Sequence, residues 1–551
     1  MKTTLSQQSF ALYVPDSVTA NSVAIVSVGG LLAYLLSVVV YRLLIHPYAK
    51  YPGPIISRLS GLPVIYYAWR GDFHHYMYRL HDQYGEIVRY SPNKLSINRV
   101  EALNDIYGFN KNVSKPEEFY AAFRVNKHAR NVFNTADKEE HRRKRRIMSK
   151  AFGTKALPNY APFISSKVDE LSVKMNGGQA PRLADGHWRT FNMADEINYL
   201  MLDIMGGLCF GEPFGFIAGK GVEMMANVHA RAVRIYMVGQ EPLLKQLSLD
   251  RVFFPHLFKA THALGEYTRY YTEKRIKDRD NIENDKEIVE ERGYEDILAH
   301  LINNKDDETG TLYSQNELLG EATLLMMAGS DTSTTAINTA IFYLANHPRV
   351  RRKLNDELVK CFPRLEDIHP NTAENCKYLR ACLDEAMRLC PSVPSSIPRV
   401  VDAGGIQVTG EQIPAGMWVS VPHFTIFRNA KYFERPHDYI PERWIADGET
   451  GYSAEDVKLA TTAFQPFSLG PRHCIARNLA MREMTFVLAR IFYQFEVEPV
   501  DGPGSGRWTG NLPGIDTRNG HFIHKQRDVF TSLEEGPMVR MRVKEGLEKR
   551  S

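Results

Sequence analysis

Cysteine is scarce in this chain. Only six occur in 551 residues (Cys209, Cys361, Cys376, Cys382, Cys390 and Cys474). None has the paired spacing of a zinc site, which argues against a disulfide scaffold and places the bulk of the chain in a reducing compartment. An excess of one charge is missing too. The 68 basic side chains are matched by 64 acidic ones, a net of +4, so no nucleic-acid-binding surface spreads over the molecule and any basic function is local. Beyond residue 55 there is no Gly/Ser linker, low-complexity tract or internal repeat. One large domain is therefore the simplest partition. What is present, 44% hydrophobic and 11% aromatic residues, suffices for a large packed core.

Long apolar runs are also rare, with one exception. From Ser17 to Tyr41 the chain carries no charge, and about 20 such residues span a bilayer. A cleaved signal peptide has a shorter apolar run of about 7–15 residues behind a basic start, whereas only Lys2 is basic before Asp16. An uncleaved anchor is the reading adopted, with a buried core helix as the alternative. Arg42, Lys50 and Arg58 follow the span, which places the rest of the chain on the cytoplasmic side. Tyr51-Pro52-Gly53-Pro54 then reads as a stiff elbow.

Helical patterns dominate the middle of the chain, with short strand-like pieces at 86–90, 95–98, 399–401, 405–408 and 418–421. The Gly- and Pro-rich stretch 501–519 reads as a surface loop. Ser314-Gln315-Asn316-Glu317 fits a capping box and Pro348 ends the helical run, which predicts a helix over 315–346, about 48 Å long. Its centre, Ala328-Gly329-Ser330-Asp331-Thr332-Ser333-Thr334-Thr335, is a poor helix former, so local loosening is expected there. A second helix has apolar residues at Leu379, Cys382, Leu383, Ala386, Met387 and Cys390, with Glu385 and Arg388 off that face. An isolated Glu-x-x-Arg is usually a solvated pair. Arg443, in Pro441-Glu442-Arg443-Trp444, would turn it into a buried network by sharing Glu385.

Near the C-terminus, Phe467-Ser468-Leu469-Gly470-Pro471-Arg472-His473-Cys474-Ile475-Ala476 precedes a helical run, so Cys474 is expected at a helix start. There, backbone N–H groups and the macrodipole favour a metal-binding thiolate. A lone cysteine is more often a small buried residue. The Phe, Gly and Arg before Cys474 separate it from the other five.

Here the chain resembles the cytochrome P450 family of haem-thiolate monooxygenases. The family pattern Phe-x-x-Gly-x-Arg-x-Cys-x-Gly is matched at Phe467, Gly470, Arg472 and Cys474, with Ala476 in place of the last glycine. The Ala/Gly-Gly-x-Asp/Glu-Thr-Thr/Ser motif is matched from Ala328 to Ser333, the Glu-x-x-Arg pair at Glu385 and Arg388, and the third member of that triad at Arg443. The resemblance implies a mostly α fold with small β-sheets. It divides the chain into a lumenal tail (1–16), a transmembrane anchor (17–44), a proline-rich hinge (45–54) and a haem-thiolate monooxygenase domain (55–551).

The resemblance also implies roles. Cys474 is the axial iron ligand of haem b, Arg472 and Arg399 meet the haem propionates, and Arg145 does the same from a helix where His141 stands at the family's tryptophan position. Thr332 donates a hydrogen bond to bound dioxygen and Asp331 relays protons. Glu385, Arg388 and Arg443 form a structural triad. Electrons come from NADPH through a separate NADPH–cytochrome P450 reductase, for which the basic run 138–146 is a candidate docking surface. The expected setting is a single pass of the endoplasmic reticulum membrane with the catalytic domain cytoplasmic, in contact with membrane lipid and a small-molecule substrate but no nucleic acid.

Pro391-Ser392-Val393-Pro394-Ser395-Ser396-Ile397-Pro398-Arg399 looks most like fungal microsomal members, both those tailoring secondary metabolites and benzoate 4-monooxygenase-like enzymes. The leading expectation is hydroxylation or a related oxidation in secondary metabolism, with catabolic aromatic-acid hydroxylation as the alternative. A haem isomerase or dehydratase, or a non-enzymatic haem-binding protein, has no need of the Asp331-Thr332 pair. A small aromatic acid would need a cationic or hydroxyl partner in the pocket, which the sequence does not place.

Overall fold

Helices carry most of this protein in the computed structural model, which describes residues 20–179, 186–280, 289–290, 292–515 and 522–545. The expected lumenal tail, residues 17–19 of the anchor, and residues 516–519 of the Gly- and Pro-rich stretch lie outside the described residues. Ala20–Val40 is a helix whose last turn passes into a π-helical turn, Tyr41–Ile45. The segment Ser22–Ile45 is long and apolar enough to cross a membrane, and none of its most apolar stretch is buried against the protein.

The elbow after it is pinned to the domain. Tyr48 and Tyr51 are buried. The buried Arg89 side chain donates to the carbonyls of Arg42 (2.7 Å) and Pro92 (3.0 Å), and Arg89 N donates to Pro52 O (2.8 Å). Arg58 reaches back to Leu43 O and Ala49 O, both at 3.0 Å. Beside Gly53, a Cβ atom would meet Arg89 O at 2.1 Å, so the chain can pass this close only as glycine.

All the strands anticipated from the sequence are found. They lie in a five-stranded sheet ordered Ile87–Ser91, Lys94–Ile97, Trp418–Ser420, Arg399–Val401, Val113–Ser114, and in the hairpin Ile406–Val408 with Glu411–Ile413. A three-stranded sheet (Arg189–Asn192, Met538–Val543, Phe495–Pro499) and the hairpin Gln526–Val529 with Thr531–Glu534 were not anticipated. Their strands are short, and in the three-stranded sheet Arg189–Asn192 pairs with a strand more than 300 residues away.

The predicted long helix is present as Gln315–Asn346, 32 residues, with Ser314 and Glu317 capping each other's backbone N–H groups. It crosses the core and packs against Met193–Phe210, Lys377–Leu389 and Arg477–Gln494. The loosening expected at its centre does not occur: the helix is continuous. Its hydroxyls bond within the helix, Ser330 to Met326 O (2.7 Å), Thr332 to Ala328 O (2.7 Å) and Thr335 to Asp331 O (3.0 Å). They supplement the helical ladder instead of competing with it.

A second group of exposed apolar residues lies outside the anchor helix. Leu243, Leu247, Val252 and Phe253 are exposed, as are Leu62 and Trp69. The groups adjoin, since the Trp69 ring meets Phe254 at 6.4 Å and the Glu241 carboxylate fills the space beside Gly61.

Candidate active site

Cys474 is held by a loop that only glycine can close. Cys474 N donates to Phe467 O (2.9 Å). Gly470 has φ +65°, and a Cβ there would stand 2.1 Å from Tyr107 O. Arg472 fastens the loop to the segment before helix Lys138–Ala151, donating to Thr135 O (2.7 Å) and Ala136 O (3.0 Å). Helix Arg477–Gln494 follows, with Ala476 at its N-cap.

The Cys474 residue carries exposed surface while lying deep in the molecule, because that surface faces an internal cavity of ≈ 320 Å³. Burial pushes its thiol up, against the Ala476 N–H and the charges of Arg145 and Arg477, which pull it down. Burial and the helix start thus pull this thiol in opposite directions. All six cysteines are free, and Cys209, Cys376, Cys382 and Cys390 are buried.

The centre of the long helix forms another part of the cavity wall, with Ala328, Gly329 and Thr332 lining it. Gly329 does not open space there: a Cβ would stand 2.6 Å from Met205 Sδ, so the missing side chain admits the helix Met193–Phe210. Asp331 is buried and pushed up to about 7 by desolvation, which a hydrogen bond with Ser330 partly offsets. Ser392 Oγ donates to Thr332 O (2.8 Å), tying the loop after residue 390 to the same turn.

Two further carboxyls carried no signal in the sequence. Glu534, on the C-terminal hairpin, is pushed up to about 8 by burial and also feels Asp331. Glu483 lines the cavity and is pushed up to about 8 by burial alone.

Five basic side chains, Lys115, His141, Arg145, Arg399 and Arg472, belong to the cavity region, and Lys115 had no signal in the sequence. All but Arg399 line the cavity, and Arg399 is buried with Nη1 on Tyr120 Oη (3.2 Å). Burial, then Arg472, Lys115, Arg145 and Arg399, holds His141 far below its ordinary range. Burial, then Arg399 and Arg472, likewise depresses Lys115. Arg145 donates to His473 O (2.9 Å). Among the described residues, none of Lys115, Arg145, Arg399 and Arg472 forms an ion pair with a carboxylate. So much uncompensated buried charge fits a ligand that brings two carboxylates of its own. With a cysteine sulfur facing an otherwise apolar cavity, the donor set fits haem.

The rest of the basic run forms ion pairs within the chain, while Lys138 and Arg142 stay exposed. Arg142 pairs with Glu139, Arg143 and Lys144 with Glu317, and Arg146 with Asp306 and Glu308.

Glu385, Arg388 and Arg443 come together away from the cavity. Arg388 grips Glu385 with two bonds (2.9 and 2.8 Å), Arg443 Nε adds a third (3.0 Å), and Trp444 Nε1 and Ile440 N complete the shell at 3.0 Å each. All three charged residues are buried. Burial alone would raise the Glu385 carboxyl, but Arg388 and Arg443 hold it below its ordinary range. The helix Lys377–Leu389 is therefore buried on its polar face as well as its apolar one.

The family described as Cytochrome P450 matches residues 52–507. Cytochrome P450 monooxygenase AFT11-1 of Alternaria alternata is 32% identical over 508 residues, 91% of this chain and 94% of the relative. Cytochrome P450 monooxygenase AKT7 of the same fungus is 32% identical over 545 residues, covering 98% and 99%. Cytochrome P450 monooxygenase atnE of Emericella nidulans is 31% identical over 509 residues, covering 91% and 93%.

Proposed function

The chain belongs to the cytochrome P450 family and is a haem-thiolate monooxygenase, and from that premise we propose that Cys474 is the axial ligand of a haem b held by Lys115, His141, Arg145, Arg399 and Arg472. The observation that carries this assignment is the cavity itself, with the Cys474 sulfur on its surface and a set of cations lacking carboxylate partners around it. Monooxygenases of this family use a redox partner and a small-molecule substrate. Here the partner is taken to be NADPH–cytochrome P450 reductase, so that substrate, dioxygen, NADPH and a proton give oxygenated product, water and NADP⁺. Kinship with fungal P450 monooxygenases supports a role in secondary metabolism. The N-terminal apolar helix fits a single-pass anchor, and the basic residues after it support an endoplasmic reticulum location with the domain cytoplasmic.

When bound, haem supplies the redox centre at which dioxygen is reduced and one oxygen atom reaches the substrate. The chain supplies ligation, position and protons. The Ala476 N–H and the Arg145 and Arg477 charges stabilise negative charge on Cys474 Sγ. Thr332 Oγ1 keeps its proton on Ala328 O at rest and is free to turn it into the cavity it lines. Beside it Asp331, pushed up to about 7, holds a proton near neutral pH and can release and regain it. Cys474→Ala is expected to abolish the thiolate-type spectrum of the reduced carbon monoxide complex. Survival of that spectrum would refute the ligand assignment.

A further inference from the structure

One arginine of the cavity stands apart from the haem-binding set. Arg231, on helix Met224–Gln240, lines the cavity with only 3% of its surface exposed. Its one hydrogen bond runs from Nη2 to Phe123 O at 3.3 Å, and Nε has no partner. Arg234, one turn on, shows what the helix does with a structural arginine: Nε and Nη2 both bond Asp250 Oδ2, at 3.0 and 2.5 Å. Burying a guanidinium without an anion is costly unless a ligand brings one.

Arg231 is one of several cations on the cavity wall. Burial lowers it to about 10, and the only charge acting on it is that of Arg234. Next to it the wall is aromatic. Phe123, whose carbonyl Arg231 holds, packs against Phe133 at 5.3 Å and Phe530 at 4.9 Å, and all three rings line the cavity. A single planar guanidinium beside an aromatic wall matches a single planar carboxylate on an apolar body. Lys115 Nζ stands 4.1 Å over the Phe133 ring of the same wall; it is assigned above to the haem.

We propose that Arg231 anchors the carboxylate of the substrate, and that the substrate is an apolar carboxylic acid. This rests on the monooxygenase reading above and specifies the substrate class for the same cavity.

The test uses the haem-loaded full-length enzyme with two probe pairs, dodecanoate with methyl dodecanoate and 2-naphthoate with methyl 2-naphthoate. Binding is read by equilibrium dialysis and by the shift of the haem absorption band. At least one acid is expected to bind the parent about tenfold or more tighter than its ester. Arg231→Met should weaken that acid by about 10- to 100-fold and leave the ester within about twofold, while Arg231→Lys should keep part of the preference. Unchanged ester binding in Arg231→Met certifies that the cavity is intact. Equal affinities of acid and ester in the parent, or an acid preference that survives in Arg231→Met, would overturn the proposal. The reduced carbon monoxide spectrum is recorded alongside: its absence in the parent indicts the haem-thiolate reading, whereas dialysis reports on Arg231 with or without it.

Discussion

Thr332 and Asp331 sit side by side on one turn but differ in surroundings. The hydroxyl lines the cavity and the carboxyl is buried. Because Asp331 lies at about 7 rather than in the ordinary carboxylate range, its proton is retained below that pH and lost above it. The fraction of NADPH that ends in product should therefore fall as pH rises through about 7 in the parent. It should be low and nearly flat in Asp331→Asn. Thr332→Ala should still bind haem and consume NADPH but divert several-fold more of it to peroxide, read by peroxide assay against product formation. Unaltered coupling in both variants would remove these residues from proton handling. At this scale the sequence announced only groups embedded in a local pattern. Cys474 has Phe467, Gly470 and Arg472 near it in the chain, whereas Lys115, Arg231 and Glu534 acquire their meaning from neighbours more than a hundred residues away. Gly329 likewise takes its meaning from a distant partner, Met205, whose side chain a Cβ there would meet.

Secondary-structure elements were legible wherever their signals are local. The 315–346 helix begins and ends where Ser314, Glu317 and Pro348 dictate. The loosening inferred from its hydroxyls failed because those hydroxyls had carbonyls one turn back to satisfy them. The unanticipated three-stranded sheet depends on partners such as Thr190 for Arg540, which no local pattern names. The helix Lys377–Leu389 stood between the two cases. Its apolar stripe was readable, but the burial of Glu385 and Arg388 was not, since an exposed pair and a buried one share the same spacing. Glu385→Ala would leave two buried arginines without their carboxylate, at a cost of about 3–5 kcal/mol. Expression should then yield little haem-loaded protein, measured as haem absorbance per unit of protein. Normal loading would mean that the carbonyls of Phe427 and Pro436, which Arg388 also holds, suffice alone.

At the scale of the whole molecule, the mostly helical architecture with small sheets was legible from the repeated helical runs and the few short strand-like pieces. The exposed Leu243, Leu247, Val252 and Phe253 next to Leu62 and Trp69 add something composition does not reveal, an apolar surface in addition to the N-terminal helix. A protein lacking residues 1–45 should still float with neutral phospholipid vesicles in a density gradient, and replacing Leu247, Val252 and Phe253 together by serine should release it. Vesicle binding lost on deletion alone would assign all attachment to the helix. The pinned elbow gives this surface its importance. With Arg89 clasping the carbonyl of Arg42 and Arg58 those of Leu43 and Ala49, the domain has little freedom to swing about its tether. Were the N-terminal helix embedded in a bilayer, the domain would be held to it in one attitude, and an apolar substrate dissolved in that bilayer would reach it by a two-dimensional search. What governs turnover is then how crowded the leaflet is with substrate, so that adding lipid dilutes the enzyme's supply even when the total amount of substrate is unchanged.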